Sequence, residues 1–523
     1  MSEGSTMPER FSSRWGLLAA SLGCAIGVGN IWRFPRIAAE NGGGVFIILW
    51  ILFLFLWSIP LMVAEYSLGR KTREGVVGTF AKFGEKNKAW MGGFIALVAT
   101  CVLFYYTVIA GWCFYYFFQT LSGNLSQMAG GGAVDFFMAF TNAKIEFVFM
   151  VIPLLICSGV IYVGGVTGIE KMNSFMIPTL FILLIAAAIY ACSLPGAMKG
   201  VEYLFVPKWE YFGNYKTWIN ALAQSAWSTG AGFGLYLTYA VYVSKDEDIV
   251  TNTFFTGIGN NIASIIAALA IIPTIFAILP ASEAEAVFSK SSVGLTFFAL
   301  PELFGKMPYG DLFASLFFLT LIFAALSSLI SLVELPVRVV MDFGYTRKQA
   351  VVLVTVMTLI FGSLSAYSLD FLDNQDFVWG QGLIISGMFL AWLIIGYGAK
   401  NFRTELIQEQ RSIQLVLNGE RKSSLGQIGE NEEIQIRSSR HDHMSLGRWF
   451  DIVVTYIIPL EFVALMSWWA FEAVSGEGWW NPFAVKSIGT CLAQWGVAIV
   501  VLLLLNNFLK KKIHTHEEDG ISL

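Results

Sequence analysis

Charge is what the 523-residue chain lacks. Only 13% of its residues are Asp, Glu, Lys or Arg, and the formal net charge is −4. Soluble domains carry about 25% charged residues, so this chain has too few to cover a water-exposed surface of its length. No basic domain is present, which removes nucleic acid as a partner. Cysteine is scarce: Cys24, Cys101, Cys113, Cys157, Cys192 and Cys491 are the only six. None is spaced as a disulfide framework or a metal knuckle, and each reads as a small buried hydrophobe. The four histidines form two polar pairs, His441/His443 and His514/His516, without a metal-site pattern. A cleavable leader is not expected either, since residues 1–14 are polar and the first apolar run contains Asn30, Arg33 and Pro35.

What is abundant is apolar: 56% of the chain, 15% of it aromatic, in runs at or above the roughly 18 residues that cross a hydrocarbon core. The chain reads as an all-α polytopic membrane protein with about twelve transmembrane helices. The runs lie near 15–37, 44–69, 90–121, 145–163, 172–192, 217–243, 249–279, 309–341, 349–366, 376–397, 449–474 and 485–509. Arg70, Lys71, Arg73, Lys82, Lys86, Lys88, Lys171, Lys245, Arg347, Lys348 and Lys510–Lys512 gather on one side. Connections 122–144 and 475–484 carry one basic residue or none, so both termini are expected in the cytoplasm. Residues 400–448 are polar and nearly free of aromatics, with seven basic and seven acidic residues across 403–448. There 403–418 reads as a short amphipathic helix and 419–445 as a linker or a docking segment.

Two spans are interrupted. The first carries Gly23, Gly27 and Gly29 near mid-depth; the sixth carries Gly230, Gly232 and Gly234 at the corresponding depth. Each interior glycine costs a helix about 1 kcal/mol. Close packing through small residues is one reading. Paired breaks five spans apart favour another: unwound backbone lining a cavity at the interface of a five-plus-five inverted repeat.

The run Gly27-Val-Gly-Asn-Ile-Trp-Arg-Phe-Pro35, followed by Glu40-Asn-Gly-Gly-Gly44, resembles the signature of the neurotransmitter:sodium symporter family. The likeness extends over spans one to ten, roughly residues 11–397, and to bacterial sodium-dependent amino-acid transporters with the leucine-transporter fold. It implies the inverted repeat with broken helices one and six, for which that fold is an established example. The divisions it implies are a cytoplasmic tail (1–14), a first repeat (15–192), an extracellular connection (193–216) and a second repeat (217–397). A long cytoplasmic loop (398–448), spans eleven and twelve (449–509) and a cytoplasmic tail (510–523) follow.

The same resemblance assigns sites. A first sodium ion would be held by the Ala25 carbonyl, Asn30, Ser228 and Asn260 together with the substrate carboxylate. A second would be held by the Gly23, Ile26 and Ala324 carbonyls and the hydroxyls of Ser327 and Ser328. Read without the broken helices, the serine pair is better explained by back-bonding along its own helix. The substrate pocket would be lined by Ala25, Gly29, Val102, Tyr106, Trp227, Ser228, Gly230, Phe233, Ser328 and Leu332. Half-helix N-termini favour a carboxylate there. Monoamine relatives have an aspartate where this chain has Gly27, so a neutral amino acid with an apolar or aromatic side chain is the expected substrate. Trp227 replaces a more usual phenylalanine and Gly230 a serine, leaving side-chain size open. The outer gate would pair Arg33 with Asp376, Asp373 being the alternative. The inner gate would use Asp342 and Tyr242, with Arg10 or Arg14 replacing the arginine that Pro8 displaces. Glu65 and Glu334 read either as bundle-stabilising groups or as part of an ion path. Chloride is an open second ion, because Ser264 stands where chloride-independent relatives have a glutamate. Trp50, Gln224, Ser228 and Asn260 would complete that anion site, although Trp50 replaces the usual tyrosine and has no hydroxyl.

Sodium-coupled import by alternating access, without covalent catalysis, is the expected function; a non-transporting amino-acid sensor signalling through 400–448 is the alternative. The sequon Asn124-Leu-Ser126 is expected outside, but the cysteine pair that animal relatives carry in that loop is absent. A bacterial plasma membrane, with its lipid as the surrounding partner, is therefore expected.

Overall fold

Hydrocarbon offers backbone amides no water, so each apolar run must close its hydrogen bonds within itself. In the computed structural model, which describes residues 9–84, 88–289, 291, 293–408, 444–474, 476 and 478–518, the runs are helices. Among those residues the only extended pairing is an isolated bridge between Gly43 and Pro207. Nine of the described helices are long and apolar enough to cross a bilayer. They are Gly44–Thr72 (span two), Ala89–Leu121 (three), Glu146–Ser193, Ile249–Ile278 (seven), Gly310–Asp342 (eight), Arg347–Tyr367 (nine), Leu369–Tyr397 (ten), Trp449–Val474 (eleven) and Ile488–Lys510 (twelve). Span one is a bent pair, Arg14–Ala25 and Val28–Glu40, with 51° between its halves.

Glu146–Ser193 has 48 residues, about 72 Å of straight helix and more than twice the ~30 Å core. It turns at Gly165 (φ 52°, ψ −137°). Gly168 returns against the Val160 carbonyl, which would lie 2.6 Å from an added Cβ. This helix is therefore spans four and five. Span six is Tyr215–Thr229 and Leu235–Ala240, separated by the glycine segment. The twelve crossings expected from sequence are thus accounted for.

Burial separates a core from a periphery. Within their most apolar stretches, spans two, three, seven, eight and ten are 67–83% buried, whereas spans four/five, nine, eleven and twelve are 22–39% buried. The outer spans carry exposed apolar residues, Val163, Ile189 and Leu504 among them. All six cysteines are free; five are buried as expected, while Cys192 is exposed on the outer surface of span five. Sequence periodicity did not mark the short helices Ala281–Phe288 and Gly294–Phe304 between spans seven and eight. Of the amphipathic helix expected at 403–418, Phe402–Ile407 is helical, with Phe402, Leu406 and Ile407 buried. Residues 409–443, which contain most of the expected linker, lie outside the described residues.

Candidate substrate and ion site

The two breaks use glycine differently. In span six, Gly230, Gly232 and Gly234 have φ of 68°, 88° and 79°, the left-handed region that side chains resist. The freed amides of this segment turn to span two: Gly232 N–H donates to Glu65 Oε1 at 2.6 Å and Leu237 N–H to Oε2 at 3.1 Å. Glu65 thus caps the second half of span six. In span one, Ile26 (φ −85°) and Gly27 (φ −115°) are extended, with no left-handed residue. Space is the requirement there. A Cβ on Gly27 would stand 2.8 Å from Ser328 Oγ and 3.3 Å from the Tyr106 hydroxyl, whereas one on Gly29 would meet nothing within 4 Å.

Oxygens converge at both breaks. Ser327 Oγ lies 3.2 Å from the Ile26 carbonyl and 3.1 Å from that of Ala324. Ser328 Oγ lies 3.2 Å from the Gly23 carbonyl and 3.3 Å from that of Ile26. Both hydroxyls therefore reach across to span one, and Ser328 does not bond back to its own helix. All five groups named from the resemblance meet here, burying neutral oxygens suited to a hard monovalent cation. The cluster that the resemblance gives to the first sodium centres on Asn260. Its amide oxygen lies 3.2 Å from the Ala25 carbonyl oxygen and 3.1 Å from the Ser228 carbonyl oxygen, a crowding of acceptors that turning the amide over would relieve. Three oxygens, Asn260 Oδ1 and the Ala25 and Ser228 carbonyls, thus come together at this point. Asn30 departs from the expected orientation: its Nδ2 donates to Asn260 Oδ1 (2.7 Å) and Ser264 Oγ (2.8 Å), while its Oδ1 accepts from Gly27 N–H (3.0 Å). Asn260 Nδ2 donates to Ser228 Oγ at 2.8 Å.

Around this space stand Tyr106, whose hydroxyl accepts from Val28 N–H at 3.4 Å, and the Trp227 and Phe233 rings, edge to face at 6.2 Å. Gly230 has ordinary or open contacts only, its nearest neighbour standing 3.8 Å from an added Cβ. Val102 and Leu332 are buried on spans three and eight, which pack along their length. Of the anion-site residues, Ser264 Oγ accepts from Asn30 and donates to the Asn260 carbonyl at 3.1 Å. Buried Trp50 Nε1 and Gln224 Oε1 have no hydrogen-bond partner.

The gates differ from expectation. Arg33 and Asp376 feel one another electrostatically but make no direct ion pair; the Arg33 guanidinium lies over the Trp227 indole, 5.8 Å from its centroid. The larger ring in place of phenylalanine provides that surface. Asp373, the alternative, pairs with Lys486 at 2.6 Å. At the expected inner gate neither Arg10 nor Arg14 takes the vacated role. Asp342 pairs with Arg338 one turn earlier (2.8 Å) and accepts from Gly75 N–H (2.7 Å), and Arg14 lies 3.5 Å from Glu247. Pro8 lies outside the described residues. Tyr242 donates to Glu334 Oε1 at 2.6 Å, and Arg347 forks onto the same carboxylate at 2.9 and 2.8 Å. The sequence offered Arg347 only as a topogenic charge.

A helical membrane bundle with two unwound spans, and oxygen clusters where the unwound segments meet their neighbours, defines the class of secondary transporters built on inverted repeats. Comparison with known proteins narrows this. The profile of the Sodium:neurotransmitter symporter family matches residues 8–132 and 140–413. A sodium-dependent transporter of Methanocaldococcus jannaschii is 31% identical over 418 residues, covering 74% of this chain and 82% of that one. The sodium-dependent transporter YhdH of Bacillus subtilis is 31% identical over 426 residues, covering 77% and 91%. The crystal structure of MhsT in complex with L-phenylalanine superposes with a TM-score of 0.71 at 29% identity, covering 88% of this chain and 99% of that one. The chain belongs to the sodium:neurotransmitter symporter family.

Proposed function

We propose that the protein imports a neutral amino acid with an apolar or aromatic side chain, driven by sodium, through alternating access. The observation that carries this reading is the pair of oxygen clusters, five groups around Ser327 and Ser328 and the crowded acceptors at Asn260. Two sodium ions would travel there with the substrate. The absence of a carboxylate at Gly27 leaves the amide-rich break to the substrate's own carboxylate. That group would complete the first ion's shell, so ion and substrate each raise the other's affinity. Asn30 joins the shell by turning its amide, whose two ends are nearly isosteric. Trp227 and Phe233 supply an apolar wall, and the phenylalanine bound by MhsT agrees with such a substrate. The two repeats, 15–192 and 217–397, would rock about the site. The setting is a prokaryotic plasma membrane with both termini in the cytoplasm.

Chloride is proposed as a stimulating counter-ion. Of the two carboxylates that could supply a fixed negative charge, Glu334 is neutralised by Arg347 and Glu65 is held on the span six amides. Buried Trp50 Nε1, a donor without a partner, suits an anion near Gln224, Ser264 and Asn260. Uptake of labelled amino acids into proteoliposomes under an inward sodium gradient tests both readings. Binding without flux would reject transport in favour of a sensor, and full uptake with gluconate replacing chloride would reject the anion.

A further inference from the structure

We infer that the cytoplasmic latch of this protein has reversed polarity: the N-terminal tail contributes the acid, Glu9, and the scaffold contributes the arginine, Arg347. This rests on the alternating-access reading above. Arg347, the first residue of span nine, holds three partners at once. Its Nη1 bonds both oxygens of Glu334, its Nη2 lies 2.9 Å from the Tyr242 hydroxyl, and its Nε donates to Glu9 Oε1 at 2.9 Å. Nη2 also lies 2.5 Å from Glu9 Oε2. Glu9 is thereby tied to spans eight and nine across 338 positions of sequence.

The components differ in burial, and that difference assigns their roles. Glu334 is 0% and Arg347 10% exposed, whereas Glu9 is 43% exposed. Separating Arg347 from Glu334 would strand a buried charge. Separating Glu9 from Arg347 releases a half-solvated carboxylate into water, where exposed pairs are weak. Arg347 therefore stays on Glu334, and Glu9 is the part that leaves. The tail has a second tie, of the opposite polarity, with the acid on the scaffold. Ser12 N–H and the hydroxyls of Ser12 and Ser13 all donate to Glu170 of span five, at 2.7–2.8 Å. Phe11 N–H also bonds the Tyr242 carbonyl at 3.2 Å. Opening the cytoplasmic side by swinging out the inner half of span one must break these contacts. An arginine in the tail facing Asp342 is not needed for charge balance, because Arg338 already pairs with that carboxylate.

Cys24, buried in the inner half of span one, is a native reporter of that opening. The initial rate of its modification by a membrane-impermeant thiol reagent, applied to inside-out vesicles in saturating sodium and quantified by peptide mass spectrometry, requires neither substrate nor flux. Failure of the transport reading would therefore show in uptake and not here. Glu9→Gln is expected to raise the rate about two- to fivefold, the range set by a half-exposed ion pair. Glu9→Arg should raise it roughly tenfold or more, through like-charge repulsion with Arg347. Adding Arg347→Gln to Glu9→Arg should then slow labelling again, because the new tail arginine can pair with the freed Glu334. A double variant that labels as fast as Glu9→Arg alone would overturn the proposal, as would a wild-type rate in both Glu9 variants. If Arg347→Gln fails to accumulate, Glu334→Gln with Arg347→Gln removes the buried pair together. In that background Glu9→Gln should have no effect, and a further rise would overturn the latch.

Discussion

Placing alanine at Gly27 isolates the contribution of one hydroxyl to the second sodium cluster. The backbone there is extended, φ −115° and ψ −173°, so alanine introduces no conformational strain. Its methyl would stand 2.8 Å from Ser328 Oγ and 3.3 Å from the Tyr106 hydroxyl, inside the ~3.5–4.0 Å of comfortable contact. The serine rotor is the softest neighbour. Its Oγ reaches the Gly23 and Ile26 carbonyls at 3.2 and 3.3 Å, and it yields by turning away from span one. The cluster then keeps four of its five groups. Contacts to a charge are worth roughly 1.5–3 kcal/mol, which corresponds to a loss of about 10- to 100-fold in sodium affinity. Sodium titration of labelled amino-acid binding to purified protein measures this. Gly29→Ala is the control, because its methyl meets nothing within 4 Å and should leave sodium dependence intact. Gly27→Ala should also add little to Ser328→Ala, since both remove the same oxygen. Wild-type sodium dependence in Gly27→Ala, or full additivity with Ser328→Ala, would refute the reasoning.

Asn30→Ala and Ser228→Ala are each expected to weaken sodium and substrate binding together, by a coupling of about 1–3 kcal/mol; isothermal titration at several sodium concentrations would expose a change confined to one ligand. Ser264→Glu supplies a fixed charge one turn after Asn260 and should render uptake indifferent to gluconate replacement, whereas persisting chloride stimulation would place the anion elsewhere. Glu65→Ala leaves the amides of Gly232 and Leu237 without acceptors, at about 1–3 kcal/mol for each buried donor. It should lower the melting temperature more than Glu65→Gln does, and equal melting temperatures would show that the cap is not what holds span six.

The breaks and both oxygen clusters were legible because glycine, asparagine and paired serines are conspicuous at membrane depth. The likeness to a family then said which of them meet. What glycine does at each break was not legible: Gly230, Gly232 and Gly234 are there for φ, Gly27 for the room beside Ser328. The gates were read least well. Sequence placed Arg33 on Asp376, but the indole of Trp227, itself noted as a departure, takes the guanidinium face. Arg338 and Asp342 share the i,i+4 spacing that pairs charges along a helix, and that spacing could have indicated that Asp342 was already matched. Nothing in spacing connects Glu9 with Arg347, since their meeting depends on how the tail crosses the ends of spans six, eight and nine.

The placement of the clusters relative to the ties gives sodium a direction of action. The second cluster joins Gly23 and Ile26 of span one's inner region to Ser327 and Ser328 of span eight. The tail ahead of that inner half is fastened to Arg347 and Glu170. A cation in the second cluster and the tail contacts therefore restrain the same segment from its two ends. The outer side has no comparable bond between Arg33 and Asp376. Sodium binding would thus hold the cytoplasmic side shut while the extracellular approach remains open to substrate, and loss of that ion would be the step that frees the inner half of span one. The first cluster, shared among Ala25, Ser228 and Asn260 of spans one, six and seven, is where the arriving carboxylate would meet the ion. In the proposed order the second sodium would set the conformation, and the first would couple it to cargo.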